Sequence, residues 1–207
     1  MNPADFIRQN LRLEPVPLLP DIVLYTAHSG SRLSRLGGTD DQPPYWAYQW
    51  AGGLALAQHF AMHPEIVAGR RVLDLGAGSG LVGIAAAQAR AIVSAAEIDP
   101  NGRAAIALNA AANGVSLPLV DIDIAGDTPP DVDAIAAGDV FYNPEVATLM
   151  LPFLQRCAAA GLQVLIGDPD RRDLPIAQLE RIASYAVGDM GDARGSAERA
   201  GSVYRLR

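Results

Sequence analysis

Asp74 closes a short apolar run, and Gly76, Gly78 and Gly80 follow it at every second position. Two further carboxylates, Glu97 and Asp123, stand where later apolar runs end. Glycines in such a row let backbone N–H groups approach a ligand with no Cβ in the way. Carboxylates accept hydrogen bonds from ammonium, hydroxyl and amino donors. These groups are equipped to hold a nucleotide-type cofactor, and two cofactors compete for the pattern. Gly78-Ser79-Gly80-Leu81-Val82-Gly83 is a literal dinucleotide fingerprint, with Glu97 about 20 residues on, where a ribose-binding acid belongs. Asp74 speaks against NAD, because an anion ahead of the turn faces a diphosphate unfavourably and suits a cationic ammonium group. The chain also has no Lys, so the Tyr-x-x-x-Lys pair of a hydride-transfer site is missing.

The elements that must position these residues follow from periodicity. Val72 to Gly80 reads as a buried strand breaking into a glycine turn, and LVGIAAAQA restarts as a helix. Strands are expected over 71–75, 92–97, 117–123, 131–139 and 161–168. Helices over 80–90, 101–113, 144–159 and 174–184 alternate with them, and 184–190 and 202–207 read as two final strands. Ahead of these come a helix over 4–13, the Pro-rich connector EPVPLLP, a strand over 22–26 and a polar stretch from His28 to Pro44, long enough to be mobile or functional. The segment Pro43 to Glu65 opens extended and turns helical near Trp50. Alternating strands and helices imply an α/β three-layer sandwich with a mainly parallel sheet. We expect one domain over 1–207, with 1–49 as an N-terminal extension contributing to the substrate side.

Composition narrows the function. The formal charge is −7 and all 16 basic residues are Arg. An acidic chain without a basic stripe is a poor partner for nucleic acid and a favourable one for cationic groups. The single cysteine, Cys157, fits a reducing compartment and a packing role in a helix. No apolar run is long enough to span a bilayer, and the start, MNPADFIRQN, is no targeting sequence, so we expect a cytoplasmic, bacterial-type monomer. His59 and His63 lie four apart without the glutamate of H-E-x-x-H or a further ligand, so no metal is expected.

Asp-x-Gly-x-Gly-x-Gly with acids closing the following strands resembles the S-adenosylmethionine (AdoMet) site of the class I methyltransferases, which implies a Rossmann-like seven-strand sheet whose last strand is antiparallel. The resemblance assigns the methionine end of the cofactor to Asp74. It assigns the ribose hydroxyls to Glu97, with Ile98 beside it and Asp99 as the close competitor. The adenine amino group goes to Asp123, preferred over Asp121. Trp50 and Gly53, at the start of a helix, are expected to pack against the cofactor with Gly76, Gly78 and Gly80.

Pro43-Pro44-Tyr45-Trp46, Gly138-Asp139-Val140-Phe141-Tyr142 and Ile166-Gly167-Asp168-Pro169 together are similar to the electron-transfer-flavoprotein β-subunit lysine methyltransferases. They belong to a wider group that shares Asp-x-x-Tyr after the fourth strand. The likeness runs from near Ile22 to past Arg171. It implies methylation of a lysine ε-amine in a folded protein, with the β-subunit of electron-transfer flavoprotein as leading substrate and ribosomal stalk protein as a second. Asp139 and Tyr142 are then the catalytic pair, Asp139 holding the amine in line and receiving or relaying its proton. Tyr45, Trp46 and Phe141 join Tyr142 as walls of a lysine channel, where aromatic faces tolerate an alkyl-ammonium. Other readings stay open: Asp139 as a helix cap, Trp46 and Trp50 as packing anchors, a methyltransferase of a small amine or another protein site, and a nonenzymatic AdoMet-fold binding protein.

Overall fold

The computed structural model describes residues 2–35, 43–126, 128–188 and 199–207. The chain enters through the helix Pro3–Asn10 (α1), with the Asn2 side chain accepting from Ala4 N and Pro3 in its first turn. It ends short of the expected Leu13 because Arg12–Val16 (β1) pairs antiparallel with Leu19–Thr26 (β2). The Pro-rich stretch is therefore most of a hairpin rather than a connector. It tolerates Pro15 and Pro20 because a two-stranded ribbon leaves each strand an unpaired edge. Of the polar stretch 28–44, residues 36–42 lie outside the described residues.

The helix Ala51–Met62 (α2) leads to Arg71–Leu75 (β3), and Leu81–Gln88 (α3) follows the glycine turn. Then come Ile92–Ala96 (β4), Pro100–Ala112 (α4), Ala134–Gly138 (β5), Pro144–Ala159 (α5) and Gln163–Asp168 (β6). Leu179–Val187 (β7) and Arg199–Leu206 (β8) close the sheet. Its order is β4-β3-β5-β6-β8-β7; β3 to β6 run parallel, and β8 is antiparallel to both its neighbours. From β3 the chain goes first to β4 on one side and later to β5 on the other, so the crevice at the carboxyl ends of these strands is a topological switch point.

The sheet is the middle of three layers. Leu54, Leu56 and Phe60 of α2 pack with Ile84 of α3 and Ile106 of α4 in one buried cluster, while Phe153, Leu154 and Cys157 of α5 pack with Ile135 and Ile166 in another. A third, smaller cluster joins Phe6 and Ile7 of α1 to Trp46 and to Ala105 of α4, seating the residues before Trp50 on the fold. Among the described residues no helix is long and apolar enough to cross a membrane.

Two expected elements differ. The strand over 117–123 is reduced to one parallel bridge, Leu119 with Ala95, in which Ala95 N donates to Pro118 O and Val120 N to Ala95 O. The seventh strand is therefore a two-bond attachment on the outer side of β4. The helix expected over 174–184 is a 3-10 turn, Ile176–Gln178, followed by β7. Pairing with β8 over the whole of β7 outweighs the helical preference of its Ala, Leu, Glu and Arg residues.

Candidate active site

Gly76, Gly78 and Gly80 all have positive φ, 67°, 53° and 81°, so the chain between β3 and α3 bends in a way side chains with a Cβ resist. Gly76 and Gly78 line a cleft of about 780 Å³, within the ~300–1,000 Å³ of small-molecule sites. Gly80 does not line it. It is the N-cap residue of α3, packed beneath Ile106. Asp74 reaches the cleft wall from the penultimate position of β3, buried, with Gly83 N donating to it over 2.8 Å. Burial pushes its carboxyl up to about 7 against that hydrogen bond. Among the described residues no cationic side chain pairs with Asp74. A buried carboxylate facing a cleft without a counter-ion is complementary to a cationic ligand group.

Glu97 lies across the turn from Asp74. Its Oε2 accepts Gly78 N at 2.8 Å and its Oε1 accepts Asp99 N at 2.9 Å, which fixes the carboxylate and leaves each oxygen a further lone pair towards the cleft. Asp99 also lines the cleft, and its side chain caps α4 by accepting Asn101 N. Ile98, four-fifths exposed, forms an apolar lip beside Ile122 and Ile124. Asp123 does not line the cleft: its carboxylate turns back to accept Ala125 N. The acid that lines it at this end is Asp121, paired with Arg103 at 2.8 Å.

At the opposite end of the cleft α2 meets the sheet backbone to backbone. Any side chain at Gly52 would press into the carbonyl of Gly167, and one at Gly138 into Gly53. This closeness lets Gly53 N donate to Asp139 Oδ2 at 2.6 Å, with the Gly52 amide adding to it. Asp139 itself has φ +57°. The other carboxylate oxygen, Oδ1, accepts from Arg171 Nη1. Arg171, by sequence an ordinary exposed arginine, lines the cleft at this end. Its Nη1 also reaches Asp168 Oδ2 at 3.3 Å, and its own amide donates to Asp168 Oδ1 at 2.7 Å. Burial pushes Asp139 upward, and the Arg171 guanidinium and the two glycine amides draw it back. The carboxylate expected to receive or relay a proton is thus already engaged on both oxygens.

Four aromatic rings stand over this end. Tyr45 contacts Tyr142 with ring centroids 5.3 Å apart and Trp50 at 5.7 Å, and Tyr48 lies 6.4 Å from Trp50. Tyr45 and Tyr142 are each 37% exposed, so they are within reach of an incoming group. Burial raises the Tyr142 phenol, with Tyr45 and Glu97 adding to the effect, so it stays protonated at neutral pH. Trp46 also lines the cleft although it is almost wholly buried. Phe141 does not: the expected channel wall is fully buried among Leu73, Phe153 and Leu154, because the left-handed turn at Asp139 sends its side chain into the core.

Sequence reasoning also missed Asn109. Fully buried on α4, it donates through Nδ2 to Ser79 O in the glycine turn and accepts Tyr25 N of β2, tying the turn to the N-terminal hairpin. A polar residue in the otherwise apolar run AAIALNAA was the available signal. Among the described residues no group of His, Cys, Asp and Glu could hold a metal.

The sequence profile of a family described as lysine methyltransferase matches residues 47–184. The electron transfer flavoprotein beta subunit lysine methyltransferase of Danio rerio is 41% identical over 153 residues, 70% of this chain and 59% of that protein. The protein of the same description from Xenopus laevis is 35% identical over 198 residues, 90% of this chain and 80% of that one. The chain thus spans less than two thirds of the Danio rerio relative's length. The structure of a ribosomal protein L11 methylase from Lactobacillus delbrueckii subsp. bulgaricus superposes with a TM-score of 0.55 at 20% identity, covering 82% of this chain and 91% of that one, a likeness of fold.

Proposed function

This chain belongs to the lysine methyltransferase family, and from that premise we propose that it transfers a methyl group from AdoMet to a lysine ε-amine of a folded protein. The β-subunit of electron-transfer flavoprotein is the leading substrate, by similarity to proteins named for that activity. Ribosomal stalk protein is the second candidate to test.

One observation carries the reading. A single cleft has an uncompensated buried carboxylate, Asp74, beside the glycine turn, and an aromatic opening built by Tyr45, Trp50 and Tyr142 over Asp139 at its far end. The first end suits an amino-acid ammonium, with Glu97 placed for ribose hydroxyls and Asp121, rather than Asp123, for the adenine end. Bound AdoMet supplies a methyl group activated on a sulfonium. Tyr45 and Tyr142 enclose the lysine stem, and the neutral Tyr142 hydroxyl accepts a hydrogen bond from the amine. Asp139 anchors the start of α2 beneath them, so that the floor of the opening is fixed before the substrate enters.

The test is radiolabelled AdoMet with purified electron-transfer-flavoprotein β-subunit, with stalk protein, and with cell extract, each beside an Asp74→Asn control. Label on a protein lysine, located by mass spectrometry and strongly reduced in the control at limiting AdoMet, is the expected result. Label on arginine, nucleic acid or small molecules only would sink the proposal.

A further inference from the structure

Arg171 is held more firmly than a surface arginine needs to be. Its guanidinium lies between Asp139 at the end of β5 and Asp168 at the end of β6, and its backbone amide is fixed by Asp168 as well. The loop carrying it is braced again one residue earlier: Asp170, at φ +64°, accepts from Tyr204 Oη of β8 and, at 2.7 Å, from Arg181 of β7. Asp168 is fully buried and does not line the cleft, whereas Asp139 and Arg171 do. The cation facing the aromatic opening is therefore Arg171, and the anion behind it is already matched by Arg171 and the first amides of a 12-residue helix.

That arrangement bears on the amine. A lysine titrates near ~10.4 in water and attacks only as the free base. An unmatched carboxylate at the end of its channel would hold it as ammonium. We infer that Arg171 is a positioning residue that keeps Asp139 permanently matched, so that the channel admits lysine as the neutral amine and sends its proton to solvent. This rests on the reading of the cleft as a lysine methyltransferase site. The other charged or titratable groups lining the cleft are the phenols of Tyr45, Tyr48 and Tyr142 and, towards the glycine turn, Asp74, Glu97, Asp99, Arg103 and Asp121; Asp168 stands behind Arg171.

Two measurements test it on the full chain. Both tryptophans, Trp46 and Trp50, line the cleft, so their fluorescence reports entry of n-butylamine, a lysine side-chain surrogate. The wild type takes n-butylamine more tightly as pH rises towards ~10.4. Arg171→Gln takes the ammonium form, binding it roughly tenfold more tightly than wild type near neutral pH. Arg171→Lys restores the wild-type pH dependence, which separates lost charge from lost fold. In methyl transfer to the flavoprotein β-subunit, the acid limb of kcat, which reports the bound lysine, moves up by about one pH unit in Arg171→Gln and stays put in Arg171→Lys. Identical pH dependences in wild type and Arg171→Gln, or no n-butylamine uptake by any form, overturn the inference. Absence of methyl transfer by the wild type counts against the methyltransferase reading, while the n-butylamine titration still decides the role of Arg171.

Discussion

The amide of Gly53 donates to the carboxylate of Asp139 over 2.6 Å, joining the first turn of α2 to the carboxyl end of β5. The bond exists only because Gly52 lies against the Gly167 backbone and Gly138 against Gly53, where no Cβ fits. The same contact brings Trp50, the N-cap residue of α2, to the cleft, so helix docking and channel geometry share one cause.

Gly52 and Gly53 should therefore differ sharply when each becomes alanine. A Cβ on Gly52 presses into the Gly167 carbonyl, whereas one on Gly53 meets its nearest atom, Asp139 Oδ2, at an ordinary 3.7 Å. Overpacking against rigid backbone costs ~1–3 kcal/mol. Gly52→Ala lowers the melting temperature by roughly 5 °C, and Gly53→Ala leaves it near the wild-type value. Thermal melts of the two variants check this, and equal losses would disprove the backbone-contact account.

Asp74 predicts two opposite pH trends. Its carboxyl is pushed up to about 7 by burial, whereas in the unfolded chain it titrates near ~3.9. Between these values the folded protein holds a proton that the unfolded chain has lost. This group therefore favours folding at low pH, and its contribution fades as pH rises through about 7. Asp168, raised to about 6 by burial, adds to the same trend over a lower window. Cofactor affinity runs the other way, because the ligand ammonium needs the carboxylate. Calorimetric titration with S-adenosylhomocysteine should show weaker binding below about pH 7 than above it. Asp74→Asn keeps an acceptor for Gly83 N and so holds its melting temperature above pH 7, while affinity falls roughly tenfold or more. Affinity that is flat with pH would remove Asp74 from the ammonium site.

The raised Tyr142 phenol makes a further prediction. Protonated well beyond neutral pH, it cannot act as a base, and its hydroxyl serves only to hold the amine. Tyr142→Phe lowers kcat roughly tenfold with S-adenosylhomocysteine affinity unchanged, and it leaves the acid limb of the rate profile where it was. Tyr45→Ala, which removes a ring 5.3 Å from Tyr142, raises KM for the protein substrate instead. Steady-state kinetics across pH separate the two effects, and a rise of rate with pH that Tyr142→Phe abolishes would make the phenol a base after all.

The cofactor half of the site was legible because its devices are local: Asp74, the alternate glycines and Glu97 lie within one strand–turn–helix–strand unit, where spacing alone places them. The other half depends on contacts between distant segments. Arg171 reads as one arginine among 16 until β5 and β6 lie side by side and set Asp139 against Asp168. Phe141 reads as a channel wall because nothing in GDVFY reveals the left-handed turn at Asp139. The strand β7 reads as helix because its partner β8 follows only after residues 188–198, too far along the chain to shape a local pattern. Local chemistry is written in spacing, whereas counter-ions and strand partners depend on the fold.

Asn109 tests how far support of the glycine turn reaches the ligand. Its side-chain amide is the buried link between Ser79 O and Tyr25 N, 2.8 Å from each. Asn109→Leu has similar volume but leaves both backbone groups without their partner, Ser79 O in a buried setting and Tyr25 N in a half-buried one. Each such loss costs ~1–3 kcal/mol, so the variant should melt well below wild type. The turn should also loosen where Gly78 N meets Glu97, and S-adenosylhomocysteine binding should weaken by roughly tenfold although Asn109 does not line the cleft. Faster hydrogen exchange at the amides of Tyr25 and Gly78 together with weaker binding is the expected pattern. Faster exchange at Tyr25 alone, with binding intact, would show that the link steadies the N-terminal hairpin and not the cofactor turn.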